Sequence, residues 1–231
     1  MKDIRFKYQT IEFGEDDIHL RTLRDKQQFS DEEKKAEKLG ISSATWPLFG
    51  IVWPSSEVLA NFIYDYDFEN KRILEVGCGI GLSSLVLNRL NADITATDYH
   101  PEAENFLDIN TQLNQDDEIP FVRTSWSDEF TEELGKFDLI IGSDLLYERN
   151  HAELLSAFIN AHANPKCKVI LVNPTNPKCK VILVNPNRGH QGKFTSKMEE
   201  YGFSCVSFEP INTDYLEEPY KGKIFKYTRN L

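Results

Sequence analysis

The feature that most constrains the fold of this chain is an apolar run that ends in a glycine-rich turn and continues into an amphipathic stretch. Residues 72–76 are typical of a buried strand, and residues 82–90 have helical periodicity. Gly77, Gly79 and Gly81 lie between them. Small residues let the backbone come close to a ligand, and the first turn of a helix presents free amide groups. This order of elements is typical of the nucleotide-binding corner of a parallel sheet.

Strand-like and helix-like segments alternate through the rest of the chain. Further strands are predicted at residues 93–97, 121–124, 137–141 and 168–172 (or the duplicate of 168–172), and helices at 101–113, 151–161 and 194–201. Two late strands, 204–208 and 223–227, have no convincing helix between them, which predicts an antiparallel ending. The pattern predicts an α/β fold with a Rossmann-like, seven-stranded, mostly parallel sheet, one antiparallel late strand and helices on both faces.

Residues 1–45 are predicted to form an N-terminal extension of the main domain, which spans residues 46–231. Residues 6–23 alternate around Gly14 and predict a short β-hairpin with its turn at that glycine. Residues 30–38 are highly charged and predict a solvated stretch that is helical or mobile. A helix over residues 55–64 follows, and Ser55 or Ser56 is expected to cap it.

One segment of the chain occurs twice. Residues 164–174 recur letter for letter at 176–186, with Thr175 between the two copies. Two copies are too few for a repeat architecture. Only one of them can fill the fifth strand position, and the sequence leaves open which copy does. We interpret the repeat as a recent duplication or a sequence-assembly artefact rather than a functional insert, and note that two identical strand-forming segments permit an exchange of register.

The charge balance limits the classes of partner. With 37 acidic and 26 basic residues, the net charge of −11 argues against general affinity for nucleic acid, because phosphate contacts need Lys and Arg. An acidic surface can instead steer a basic substrate. The N-terminus lacks a secretory signal, and no apolar run approaches the roughly 20 residues of a membrane span. The lack of such a run predicts no membrane partner. The four cysteines have no metal-ligand spacing, which predicts free thiols in a cytoplasmic protein with no metal site.

The residues around the glycine turn discriminate between two cofactors. Asp98 lies 21 residues after Gly77 at the end of the next predicted strand, where its carboxylate can accept hydrogen bonds from both hydroxyls of a ribose. Dinucleotide-binding enzymes favour a third glycine at the position of Leu82. The carboxylate of Glu75 disfavours a pyrophosphate and favours the cationic side of S-adenosylmethionine. S-adenosylmethionine is therefore the predicted cofactor, and a nicotinamide-dependent oxidoreductase is the alternative.

Polar and aromatic residues at other predicted strand ends extend the candidate site toward an acceptor. Trp126 can stack on adenine or pack into the core. Ser143 offers its backbone where the fourth strand meets the cofactor, and Asp144, at the carboxyl edge of the sheet, is a candidate for function rather than structure. Tyr147 lines an acceptor channel or covers the core. Trp53 contacts the cofactor or anchors the core.

On these residues the chain resembles the seven-β-strand (class I) S-adenosylmethionine-dependent methyltransferases, and within them the branch that contains calmodulin-lysine and related protein-lysine methyltransferases. Residues 51–60 are similar to the pre-motif helix of that branch, whose tryptophan lies against the cofactor. Residues 125–128 are similar to its tryptophan turn beside adenine, and residues 138–148 to its fourth strand, which ends in Asp-x-x-Tyr. The resemblance is good over residues 46–147 and looser elsewhere.

The resemblance implies an S-adenosylmethionine-dependent protein N-methyltransferase that acts on lysine, or on another nitrogen such as that of histidine or arginine. A small-molecule N-methyltransferase of the nicotinamide type and a non-catalytic S-adenosylmethionine-binding partner protein are the alternatives. Asp144 and Tyr147 are the predicted catalytic residues, with Asp144 expected to orient the amine rather than to act as a strong base. The predicted cofactor-binding residues are Trp53, Glu75, Gly77, Cys78, Gly79, Gly81, Asp98, Tyr99, Trp126 and Ser143.

Overall fold

The chain begins with a β-hairpin. The computed structural model describes residues 4–25, 34–41, 46–127, 131–174 and 190–229. Its first two strands, β1 (Phe6–Phe13) and β2 (Asp16–Leu23), pair antiparallel. Gly14 makes the turn between them with a φ of +59°, a left-handed conformation that glycine adopts without steric cost. The predicted hairpin is confirmed.

A seven-stranded sheet forms the centre of the molecule. Its strands in chain order are β3 (Arg72–Val76), β4 (Asp93–Asp98), β5 (Phe121–Arg123), β6 (Phe137–Ser143), β7 (Ala163–Pro174), β8 (Ser204–Phe208) and β9 (Gly222–Thr228). Their spatial order is β5–β4–β3–β6–β7–β9–β8. Strand β9 runs antiparallel to both of its neighbours, whereas the other adjacent pairs are parallel. The prediction of a mostly parallel sheet with one antiparallel late strand is confirmed.

Helices cover both faces of the sheet, as predicted. The described helices are α1 (Lys35–Lys38), α2 (Pro54–Tyr64), α3 (Leu82–Arg89), α4 (Ala103–Asn114), α5 (His151–His162) and α6 (His190–Glu200). Successive strand residues point to opposite faces. Ile73 and Ile170 therefore pack with α2, α3 and α4, while Leu74 and Leu171 pack with α5 and α6. Among the described helices, none is both long enough and apolar enough to cross a membrane.

The start of α2 differs from the prediction. The helix begins at Pro54, with Trp53 in the capping position and no side-chain cap. Proline suits the first helical position because its ring sets φ and it has no amide hydrogen to satisfy. Ser56 Oγ donates to the Trp53 carbonyl at 2.7 Å, and Ser55 Oγ shares a hydrogen bond with the Tyr220 hydroxyl at 3.0 Å. The expectation that a serine caps this helix is wrong, since both hydroxyls bond elsewhere.

The first copy of the repeated segment forms β7. This strand pairs with β6 on one side and with β9 on the other. Its residues Val169 and Leu171 are fully buried against one face, and Ile170 and Val172 against the other. The second copy, 176–186, lies outside the described residues. In the described structure the fifth strand position therefore belongs to the first copy.

Asparagine side chains of α4 fasten the hairpin to the sheet domain. Asn114 Oδ1 accepts from the His19 amide at 2.8 Å, and Asn114 Nδ2 donates to the His19 carbonyl at 2.8 Å. Asn110 Oδ1 accepts from the Arg21 amide at 2.7 Å. These side chains satisfy backbone groups on the edge of β2 that faces away from β1, where a further strand would otherwise be needed.

Candidate cofactor and acceptor site

The glycine turn between β3 and α3 combines left-handed backbone with one open face. Gly77 and Gly79 have φ of +63° and +57°. A Cβ on Gly77 would meet Leu145 Cδ2 at 2.5 Å, whereas a Cβ on Gly79 would meet nothing within 4 Å. Gly81, also left-handed, caps α3, and the Cys78 amide donates to the Thr97 carbonyl at 3.0 Å. Protein atoms thus fill the space beside Gly77, a backbone hydrogen bond holds Cys78, and the turn faces open space at Gly79.

Asp98, at the end of β4, is joined to this turn. Its carboxylate accepts the Gly79 amide at 2.8 Å and the His100 amide at 2.7 Å. Burial raises the pKa of Asp98, while these backbone hydrogen bonds act in the opposite direction. The neighbouring Tyr99 is exposed, and its hydroxyl donates to the Leu39 carbonyl. The predicted ribose-binding carboxylate is therefore half-buried and fixed beside the open face of the turn.

Glu75, predicted to lie beside the cationic cofactor, makes its observed contacts with the helix that follows the turn. Its carboxylate is buried and accepts the Ser84 amide at 3.0 Å together with the Ser84 hydroxyl. Ser84 is the third residue of α3, whose capping residue Gly81 has no side chain to accept an amide hydrogen. Burial raises the pKa of Glu75 to about 7, although the Ser84 hydrogen bonds lower it. Glu75 thus caps the helix that follows the turn, a role that its interpretation as a cofactor residue had not included.

The carboxyl end of β6 presents the candidate acceptor residues. Ser143 is half-buried and pairs with Val172 of β7. Asp144 follows in a left-handed conformation, with a φ of +57°, and its amide donates to the Val172 carbonyl at 2.9 Å. Burial raises the pKa of Asp144 to about 6. A partly desolvated carboxylate therefore lies at the carboxyl end of β6.

Two further predicted residues meet around a histidine that the sequence did not indicate. The ring of His151 lies between Trp126, at 5.1 Å between centroids, and Tyr147, at 4.5 Å, in an edge-to-face geometry with both. The Trp126 ring also reaches the glycine turn, 3.8 Å from the place of a Cβ on Gly77. Tyr147 is 54% exposed, so its ring does not cover the core. No spacing in the sequence pointed to His151.

The segment before β9 lies close to α2 and to Asp144, and Trp53 directly precedes α2. Trp53 Nε1 donates to the Leu48 carbonyl at 3.2 Å, and its contact with a cofactor stays a prediction. Tyr220, bonded to Ser55 of α2, has a pKa raised to about 12, mainly by burial and in part by the charge of Asp144. Tyr220 was not predicted, because its position depends on the fold of the last strands.

The fold of this chain, with its strand order and antiparallel β9, is similar to that of a solved structure. The solved structure of TYW2 from M. jannaschii in complex with AdoMet matches it with a TM-score of 0.60 at 12% identity, over 100% of this chain and 89% of that chain. A likeness at this identity concerns the fold alone.

The family follows from the sequence comparisons. A family model described as lysine methyltransferase matches residues 34–198, so the chain belongs to this family. A protein-lysine methyltransferase of Bos taurus is 32% identical over 130 residues, 51% of this chain and 44% of that protein. A histone-arginine methyltransferase of Rattus norvegicus is 30% identical over 124 residues, 50% of this chain and 55% of that protein. The chain spans about half the length of the curated relatives it matches. The resemblance found in the sequence is confirmed.

Proposed function

We propose that this chain is an S-adenosylmethionine-dependent methyltransferase that modifies a nitrogen of a protein substrate, and that the acceptor is a lysine side chain. The observation that carries the proposal is the Asp98 carboxylate, held by the Gly79 and His100 amides at the open face of the glycine turn. A carboxylate fixed in this way has acceptor positions for ribose hydroxyls. Membership of the lysine methyltransferase family supports the same conclusion.

The residues at the turn fit this cofactor. Gly79 leaves room where the backbone must approach a ligand, and Asp98 supplies the ribose partner. Trp126 borders Gly77 and offers a ring face for adenine. The antiparallel strand β9 between β7 and β8 departs from the dinucleotide-binding strand order, which favours a methyltransferase over an oxidoreductase. When bound, S-adenosylmethionine would supply a methyl group carried on a sulfonium. As the amine bonds to the methyl carbon, the carbon–sulfur bond would break and its electrons would stay on sulfur.

Asp144 is proposed to receive and orient the acceptor amine. A lysine amine must be neutral to react, and with an ordinary pKa of about 10.4 this costs about 4–5 kcal/mol at pH 7. With a pKa of about 6, Asp144 is a stronger hydrogen-bond acceptor than an exposed aspartate but still a much weaker base than the amine. Its role is therefore alignment, while the partly buried setting of Asp144 favours loss of the amine proton.

A protein acceptor agrees with the charge of the chain. The net charge of −11 favours a basic partner over nucleic acid. The relatives are named for lysine and arginine acceptors, and the family description favours lysine. Among the described residues, the cysteines Cys78, Cys167 and Cys205 carry free thiols, which fits the proposed cytoplasmic location.

Calorimetric titration with S-adenosylhomocysteine and with NAD tests the cofactor. We expect binding of the first and none of the second; the reverse result overturns the proposal.

The acceptor is tested with donor labelled in the methyl group, added to a lysate with the purified protein or with Asp144→Asn. Label in a protein band, mapped to lysine by mass spectrometry and reduced with the variant, is the expected result. Label confined to small solutes supports a small-molecule enzyme, and binding without any transfer supports a non-catalytic partner.

A further inference from the structure

His151, the first residue of α5, connects the two halves of the candidate site. Its ring meets Trp126 on the cofactor side at an interplanar angle of 81° and Tyr147 on the acceptor side at 77°. Edge-to-face contacts of this kind favour a defined orientation of both rings, beyond the effect of the area they bury. Both rings would therefore lose a defined neighbour if the imidazole were absent.

The imidazole is itself held by the turn that carries Asp144. Its Nδ1 donates to the Leu145 carbonyl at 2.7 Å, and its Nε2 lies 3.5 Å from the Glu148 carboxylate. Burial lowers the pKa of His151, although Leu145 and Glu148 act in the opposite direction. A neutral ring with its proton on Nδ1 donates to the Leu145 carbonyl and leaves Nε2 without a proton to donate to Glu148.

The bond to Leu145 reaches further, because the Leu145 side chain packs where a Cβ of Gly77 would lie. The turn after β6 is thus held on one side by the sheet, through the Asp144 amide and the Val172 carbonyl, and on the other by His151. A change at His151 would be transmitted to both the Asp144 turn and the glycine turn.

We propose that His151 is a positioning residue that sets the orientation of Trp126 for the cofactor and of the Asp144–Tyr147 turn for the acceptor. The consequence for methyl transfer rests on the proposed function, whereas the orientation of Trp126 and of the turn does not. His151 acts through its ring on Trp126 and Tyr147 and through its Nδ1 proton on Leu145. These two actions can be separated by substitution.

His151→Phe keeps an aromatic ring between Trp126 and Tyr147 but has no donor for Leu145. His151→Asn places an amide nitrogen near the position of Nδ1 and removes the ring. We expect His151→Phe to reduce kcat on the order of tenfold with the Kd for S-adenosylhomocysteine nearly unchanged, because alignment of the acceptor is lost. We expect His151→Asn to raise that Kd by about tenfold with kcat at saturating cofactor closer to the parent value.

His162 provides a matched control at the other end of α5. It is buried, its Nδ1 donates to the Gly135 carbonyl at 2.8 Å, and its ring contacts Phe158 at 4.6 Å. His162→Phe and His162→Asn make the same chemical changes away from the site. We expect them to lower Tm without changing kcat or the Kd. His151 variants that behave in the same way would overturn the proposal.

A measurement on the free protein keeps the proposal independent of activity. In protein labelled with 5-fluorotryptophan, the fluorine signal of Trp126 is identified by its loss in Trp126→Phe. We expect this signal to narrow in His151→Asn, because the ring gains mobility, and to be unchanged in His162→Asn. Should the parent bind no S-adenosylhomocysteine and transfer no methyl group, the proposed function fails, while the fluorine linewidth still decides whether His151 positions Trp126.

Discussion

Glu75 combines an observed helix-capping role with a predicted role beside the cofactor. It accepts the Ser84 amide, as a capping side chain would, because Gly81 has no side chain to do so. The start of a helix favours a negative charge, whereas burial favours the neutral acid, and the outcome is a pKa of about 7. A nearby sulfonium would favour the charged form.

We expect Glu75→Gln to flatten the pH dependence of stability. The folded pKa of about 7 lies above the ordinary 4.5, so the folded protein keeps its proton longer than the unfolded chain. The resulting stability is fully present below the ordinary value and is lost as the pH rises through about 7. Glutamine still accepts the Ser84 amide and carries no charge to desolvate. Above pH 7, the free energy of unfolding measured with a chemical denaturant should be higher for the variant than for the parent by up to about 3 kcal/mol.

Ser84→Ala is the control for this experiment. It removes the hydroxyl that stabilises the charged carboxylate and leaves the backbone amide in place. The pKa of Glu75 should rise further, and the loss of stability with pH should become larger than in the parent. A Glu75→Gln protein that keeps the parent pH dependence would show that another group titrates.

Asp144 should determine how methyl transfer depends on pH in the acid range. The neutral fraction of a lysine acceptor rises tenfold per pH unit, so log kcat/KM should rise with a slope of about one. Below the Asp144 pKa of about 6 the carboxylate also loses its charge, and the slope should steepen to about two. Asp144→Asn should lower the rate and keep a slope near one throughout, at saturating cofactor. A parent profile without a break near pH 6 would contradict the proposed role.

At the scale of elements, α4 acts as an edge partner for the hairpin. Asn114→Ala leaves the part-buried His19 amide and carbonyl without their partner, which costs about 1 kcal/mol, the lower end of the range for buried unsatisfied groups. We expect a loss of this size in urea unfolding, with faster hydrogen exchange at the His19 and Arg21 amides. Asn88→Ala is the control, since Asn88 also bonds a carbonyl, that of Asp117, but at an exposed site. Equal losses in both variants would remove the special role of Asn114.

The elements themselves were predictable because burial on one face leaves a periodic pattern in the sequence. The strand expected at 93–97 is β4, and the helix expected at 82–90 is α3. The ends were less predictable, since they depend on local bonding. The helix expected to start at Pro101 begins at Ala103, and the serines expected to cap α2 bond elsewhere.

Contacts between distant elements could not be predicted from one sequence. Asn114 and His19 are 95 residues apart, and Ser55 and Tyr220 are 165 apart. Their pairing depends on how helices pack on the sheet, which no local spacing records. The glycine turn and Asp98 were predictable because a single strand–turn–helix unit and the next strand bring them together.

At the scale of the whole molecule, one strand position has two identical candidates. In the described structure the first copy supplies Ile170 to one core and Leu171 to the other, and Asn164 Nδ2 donates to Asp138 Oδ1 at 2.7 Å. The second copy has the same residues at the same spacing. Every contact made by the first copy within the position is therefore chemically available to the second.

The two arrangements differ in their connections and at the first strand residue, where Thr175 would replace Ala163. With the first copy in the sheet, the 15 residues 175–189 lead to α6; with the second, three residues, 187–189, would do so and 12 more residues would precede the strand. A connection of three residues is common between a strand and a helix. Moving an insertion from one end of a strand to the other changes the closure free energy on the order of 1 kcal/mol.

We therefore expect Ile170→Asp to be tolerated in the full chain. Burying an unpaired aspartate in the core costs more than about 4 kcal/mol, but the second copy can take over the position for much less. In a chain that lacks residues 175–186, the same substitution should prevent folding. Ile182→Asp should be nearly silent, and the double variant should fail like the single-copy one. Thermal unfolding compares the four proteins, and equal damage by Ile170→Asp with one copy or two would show that the strand position is not exchangeable.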